Sequence, residues 1–126
     1  VISPRAKPCG SCPYRCDVPS GVWSPEEYAK LPSYDGDTGQ QSNRVFLCHT
    51  GDSTVCAGWL GHADAGNLLA VRLGIVMGKL DPACATYKTK VPLFASGREA
   101  AEHGLRDVDS PDSNAISLIR KLGRKK

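Results

Sequence analysis

The chain has 126 residues and a formal charge of +3, from 16 Lys and Arg against 13 Asp and Glu. That length fits one domain with a modest core and leaves no room for a second. Its most apolar stretch, 68–80, is interrupted by Arg72 and Lys79, so nothing approaches the roughly 20 apolar residues that cross a bilayer as a helix; no membrane partner is expected.

Thirteen Gly, nine Pro and few aromatics predict short elements joined by many turns. Residues 1–8, with two prolines and two bases, read as an extended arm; 9–123 form a single domain and 124–126 a basic tail. Ser24-Pro25-Glu26-Glu27 offers an N-cap, a proline in the first turn and a capping-box acid, predicting a short helix to Leu31 that Pro32 stops. Residues 33–43 are turn-rich and read as a mobile surface loop. Arg44 to Cys48 is a short β-type run, with Thr54 and Val55 its partner across a turn at 50–53.

From Ala57 to Met77 the apolar density predicts two helical pieces broken near 63–66, then a helical turn at Asp81-Pro82. Val91-Pro92-Leu93-Phe94 is extended, because a residue before proline avoids the α region. Ser96 to Glu99 repeats the capping signature, predicting a helix from Gly97 to His103 with Gly104 as its C-terminal cap. Ser110-Pro111 opens the last helix, with Ile116, Ile119 and Leu122 as its apolar face and Gly123 as its stop. The resulting fold class is α+β: a mainly helical small domain with a metal-stapled β knuckle.

Six cysteines carry most of the chemistry. Cys9 and Cys12 in Pro-Cys-Gly-Ser-Cys-Pro have the spacing of a metal knuckle, and Cys48 with Cys56 completes a four-thiolate set suited to Zn²⁺, with His49 as the substitute for Cys48. A [4Fe-4S] cluster uses the same ligands and is the alternative cofactor. Three disulfides are the bland reading, but Cys9, Cys12 and Cys16 lie too close together to pair with one another without strain, and clustered thiols suit a reducing cytoplasm. Cys16 reads as a free thiol and Cys84 as a small buried hydrophobe. His62 and His103 read as packed or surface histidines, Trp23 and Trp59 as core anchors. Arg15 is placed to offset the charge of a thiolate site.

Enzyme readings rank lower. No His-x-Glu precedes Cys9 as a zinc deaminase requires. The Cys-x-x-Cys does not follow an apolar strand as in thioredoxin, and neither a nucleophile elbow nor a phosphate loop is visible. The expected function is a metal-binding, zinc-knuckle-like module that engages a protein partner, with nucleic acid contact through the basic C-terminal end (Arg120, Lys121, Arg124, Lys125, Lys126) as a second possibility; an iron-sulfur redox or sensing protein is the alternative.

Pro8-Cys-x-x-Cys-Pro-Tyr-Arg15, Gly21-Val-Trp23, Glu27-Tyr28, Phe46-x-Cys-His49 and Cys56-Ala-Gly-Trp59 together resemble an uncharacterised family of small proteins from actinobacteria and their phages. Ala70-x-Arg72-Leu73, Pro92-Leu-Phe94 and Glu99-Ala extend the likeness, and it implies a common cysteine site rather than a reaction; the expected location is the cytoplasm, that of the host bacterium if the chain is phage-encoded. Cys16 departs from the pattern. A thinner similarity, Cys-Pro-Tyr-Arg followed by Gly-Val-Trp, is to the iron-sulfur WhiB-like regulators, whose cysteines are spaced differently.

Overall fold

The computed structural model describes residues 1–48 and 53–125. Its helices are α1 (Pro25–Ala29), α2 (Ala57–Gly61), α3 (Leu69–Val76), α4 (Gly97–Arg106) and α5 (Ser113–Lys125), with 3₁₀ turns between them. Among the described residues β structure is limited to isolated bridges: Ile2 with Leu80, Pro4 with Val55, Arg15 with Leu93, and Leu47 with Val55. The molecule is a single, mostly helical domain. Its main buried cluster gathers Tyr14, Tyr28, Leu31, Val55, Trp59, Leu60, Leu68 and Val71 from nearly every segment.

The arm at residues 1–8 is tied into the rest of the structure by backbone pairing. Val55 N–H donates to Ser3 O at 3.0 Å and Val55 O accepts from Arg5 N–H at 3.0 Å, while Ile2 exchanges backbone hydrogen bonds with Lys79 and Asp81. Val55, fully buried, is thus paired on both sides, by Pro4 and by Leu47. Apolar Ile2 gives the arm its purchase, since it packs against the core. Proline at position 4 is tolerated because the adjacent residues supply the hydrogen bonds.

Residues 33–43 are also anchored rather than a free loop. Leu31–Tyr34 continues past Pro32 as a 3₁₀ turn, with proline in the first turn where its missing N–H is harmless. Tyr34 is buried and its hydroxyl donates to Arg44 O at 2.9 Å. Gln41 bridges the segment to α3 by accepting from Leu69 N–H at 3.0 Å, and Thr38 Oγ1 donates to Asn67 O at 2.7 Å.

α4 lies across α1 and this 3₁₀ turn. The contact is close enough that a Cβ on Gly97 would stand 2.0 Å from Leu31 O, and one on Gly104 would stand 2.1 Å from the Tyr28 ring. Gly104 is therefore a contact glycine inside α4 and not the expected cap; the helix runs on to Arg106. The N-terminal N–H groups of α4 are met by Asp35, whose carboxylate accepts from Gly97 N at 2.7 Å and Arg98 N at 2.9 Å, and by Ser96, which accepts from Glu99 N at 3.1 Å. Its C-terminal carbonyls are met by Gly21 N and Ser20 Oγ, both donating to Gly104 O. Gly21 has φ 81°, and a Cβ there would meet Asp107 O at 2.7 Å, so only glycine fits.

α5 starts later than its Ser-Pro signal, because Asp112 is the residue that caps it, accepting from Ala115 N at 2.8 Å. The helix passes through Gly123 and carries Arg124 and Lys125 in its last turn, not in a separate tail. Its buried face is Ala115, with Leu118 and Leu122 packed beside it, against Val18, Val22 and Trp23. Ile116 and Ile119, expected to face inward, are each 38% exposed. The apolar positions 115, 118 and 122 repeat at helical spacing as well as 116 and 119 do, and periodicity alone does not choose between two adjacent stripes.

Candidate functional site

Pro8 to Pro13 folds as a tight turn in which Cys12 N–H donates to Cys9 O at 3.1 Å, and a second turn follows with Arg15 N–H on Cys12 O at 3.1 Å. Backbone N–H groups two residues on reach each sulfur, Ser11 to Cys9 and Tyr14 to Cys12. Arg15 locks this arrangement: Nη1 donates to Pro8 O at 3.2 Å and Cys9 O at 3.5 Å, while Nε and Nη2 grip Asp17 at 2.8 and 2.7 Å. Asp17 in turn holds the guanidinium strongly protonated, and its own carboxyl lies below the usual range because of that cation. Leu93 and Phe94 then pair with residues 14 and 15, Phe94 N–H donating to Tyr14 O at 2.9 Å.

The second thiol segment forms as the Leu47 to Val55 bridge. Cys48 N–H donates to Thr54 O and Cys56 N–H to Phe46 O, both at 2.9 Å, so Cys48 and Cys56 stand on the same side of the pairing by strand alternation. Cys56 is also the N-cap of α2, its sulfur accepting from Trp59 N at 3.4 Å. The turn expected at 50–53 and the alternative ligand His49 lie outside the described residues, Ser53 excepted.

Three of the expected ligands meet. Cys12 Sγ lies 3.8 Å from Cys56 Sγ, and Cys9 shares a hydrogen bond with Cys12 while its sulfur stands 3.8 Å from Ser11 Oγ. They form a row with Cys12 in the middle; among the described residues no three His, Cys, Asp or Glu side chains converge as a ready metal-binding group. Cys48 is buried on its strand. No disulfide joins any of the six cysteines. The Cys9 thiol is pushed far up from its ordinary value, first by its hydrogen bond with Cys12 and then by burial. Cys12 is pushed up likewise, first by Cys56, while its bond with Cys9 acts in the opposite direction. Without a cation, Cys9 and Cys12 keep their protons.

The motif Cys56-Ala-Gly-Trp59 is explained position by position. Gly58 is pressed on Cys12, where a Cβ would stand 2.2 Å from the sulfur. Trp59 is fully buried, stacked near Phe46 and edge-on to Tyr34. Its Nε1 and the Tyr14 hydroxyl are buried without hydrogen-bond partners, an expensive state for two polar groups beside a thiol row. Gly58 and Tyr14 stand in the motifs that carry the family resemblance, but their residue chemistry alone assigns them no role at the cysteines.

The remaining candidates fall out of the site. Cys84 is fully buried as a packing residue and Cys16 is exposed. His62 stacks on Tyr14 with ring centroids 4.4 Å apart, and its Nδ1 is bonded to Trp59 O; burial pulls its pKa down. His103 joins α4 to Val18 O at 2.7 Å. Trp23 is half-buried and donates from Nε1 to Ser11 O at 2.7 Å, tying the thiol turn to the seat of α5. A pocket of about 240 Å³ lies between that turn and α5, lined by Arg5, Cys9, Gly10, Ser11, Leu118, Lys121 and Leu122. A larger cleft of about 410 Å³ beside His62 has its Asp35, Gln41 and Asp64 side chains committed to the protein's own backbone.

A class can now be given: a small helical domain arranged around buried free thiols. Residues 4–121 match the model of a family of unknown function, DUF6283, and the chain belongs to that family. No curated protein and no solved structure matches it. No helix among the described residues is long and apolar enough to cross a membrane.

Proposed function

We propose that the protein is a zinc-binding module in which Cys9, Cys12 and Cys56 supply thiolates, Cys48 or His49 completes the set, and the metal fixes a surface for a macromolecular partner. The observation that carries the reading is the 3.8 Å between the Cys12 and Cys56 sulfurs, because two thiolates held about 2.3 Å from a tetrahedral zinc stand about 3.8 Å apart. The N–H groups of Ser11, Tyr14 and Trp59 aimed at the three sulfurs support it, since such donors stabilise thiolate charge. On binding, the cation releases the thiol protons.

An iron-sulfur cluster fits less well. Its cysteines ligate different irons and so stand farther apart, and Gly58 against Cys12 leaves little volume there. For the partner, the end of α3 offers Leu73, Val76 and Met77, with Val76 85% exposed, an apolar patch of the kind that marks contact surfaces. The test is metal and acid-labile sulfide content with a visible spectrum, on protein purified without oxygen and without an affinity-metal column. About one zinc per chain and no colour is the expected result. Folded, reduced protein that holds no zinc and takes none up on titration would overturn the reading; iron with sulfide would replace it by the cluster.

A further inference from the structure

The three thiols differ in how a reagent reaches them. All three are buried, Cys9 at 5% exposure, Cys56 at 3% and Cys12 at 0%, but of the three only Cys9 lines the 240 Å³ pocket beneath α5, in the company of Arg5 and Lys121. Arg15 donates to the Cys9 carbonyl from the other side. Cationic surroundings with partial access are the setting in which a cysteine sulfur reacts, provided it is a thiolate.

We propose that Cys9 is the entry point of a peroxide-sensitive thiol relay, Cys9 to Cys12 to Cys56, whose oxidation expels the metal. This rests on the zinc reading, because the bound cation is what keeps the sulfurs as thiolates; a buried thiol without it is a poor nucleophile. The oxidant is hydrogen peroxide. The Cys9 thiolate attacks one peroxide oxygen, the O–O bond breaks, and hydroxide leaves to be protonated to water, giving Cys9 sulfenic acid. Cys12 attacks the Cys9 sulfur and the sulfenic oxygen leaves as a second water once protonated, forming the Cys9–Cys12 disulfide. Cys56, 3.8 Å from Cys12, then displaces Cys9 from Cys12 as a thiolate by ordinary exchange. The net change is two thiols and one peroxide to one disulfide and two waters. Closing Cys12 on Cys56 brings the sulfurs to about 2.05 Å, and with two ligands joined the metal leaves.

The experiment begins with metal content of the reduced protein, then follows zinc release with a chromogenic chelator during peroxide addition and maps the disulfides by peptide mass. The wild type is expected to release about one zinc while losing two hydrogens per chain, with Cys12 in the mapped disulfide and Cys16 still free. Leu118→Phe fills the pocket from α5 without replacing a ligand and slows release at least fivefold. Protein that holds zinc yet keeps both zinc and thiols under peroxide overturns the relay and leaves the zinc reading standing, as does oxidation confined to Cys16 or release unaffected by Leu118→Phe. Protein that never binds zinc overturns both, and the opening metal assay separates the two failures.

Discussion

The junction of α1 with α4 and the thiol row are both closed by glycines that let backbone approach within touching distance, yet they end in different states. At the junction polar groups are answered within the protein: Asp35 and Ser96 take N–H groups of α4, Ser20 and Gly21 meet Gly104 O, and the Tyr28 hydroxyl accepts from Trp23 N at 3.1 Å. At the thiol row, Gly58 presses on a sulfur that keeps its proton, and the Tyr14 hydroxyl and Trp59 Nε1 beside it are buried without partners. The first region is complete as protein. The second keeps buried polar groups without partners, at a high local cost.

The largest effect that separates them is at Cys12, the central thiol. Cys12→Ser is expected to abolish zinc uptake and, with it, the cooperative unfolding transition, that is, most of the about 5–15 kcal/mol that a domain of this size holds. Calorimetry with and without chelator is the check; a Cys12→Ser protein melting like the zinc-loaded wild type would make the two regions equivalent.

Next come the glycines of the junction. Gly97→Ala drives a methyl into Leu31 O, which is backbone and cannot rotate away, so a loss of about 3 kcal/mol is expected. Gly104→Ala meets a ring instead: overpacking of about 1–3 kcal/mol opposes about 1 kcal/mol gained in helix propensity, for a net loss near the lower part of that range. In a Tyr28→Leu background the ring is gone, and the same alanine should stabilise. Both variants keep zinc. Denaturant midpoints of the four proteins decide it, and a Gly104→Ala loss unchanged by Tyr28→Leu would show that the contact is not the cause.

Gly58→Ala sharpens the contrast, because the atom it meets is the end of a side chain that can turn. About 1 kcal/mol of stability is expected to go, whereas zinc affinity falls at least tenfold as Cys12 is swung off the line to Cys56. Competition against a chelator of known affinity measures this. Affinity unchanged with stability lost would place Gly58 in packing alone.

How much of this was legible follows the same division. Capping signatures and breaks are local, and Ser96-Gly-Arg-Glu99, Asp81-Pro82 and the interruption near residues 63–66 appear where the sequence puts them. The Cys9 to Cys12 turn and the pairing of residues 46–48 with 54–56 are local too, and both formed. What the sequence hides is contact at a distance. Gly104 reads as a stop unless one knows that Tyr28 lies over it; the arm reads as loose unless Val55 is seen to need a partner on its second side; Asp35 looks like a loop acid until α4 places its N-terminus there. Residues 33–43 misled for a related reason, since their polar side chains bond to backbone of other segments, which composition does not encode.

The smallest expected effect tests whether the aromatic wall behind the thiols is tuned to a neutral histidine. His62 is buried against Tyr14 and bonded through Nδ1 to Trp59 O, and burial lowers its pKa below the ordinary value. Above about pH 6.5, the unfolded value, the ring is neutral in both states and stability is unaffected. As pH falls below that, the unfolded chain takes a proton that the folded one refuses, so stability drops, at up to about 1.4 kcal/mol per pH unit, until the folded ring protonates in turn. Thiolate protonation also weakens metal binding in acid, so the informative quantity is the difference between wild type and His62→Gln at each pH. That difference should stay constant from pH 8 to 7 and shift in favour of the variant by pH 5.5. A constant difference throughout would mean that the histidine is there for its shape, and that the thiol wall is indifferent to charge on that side.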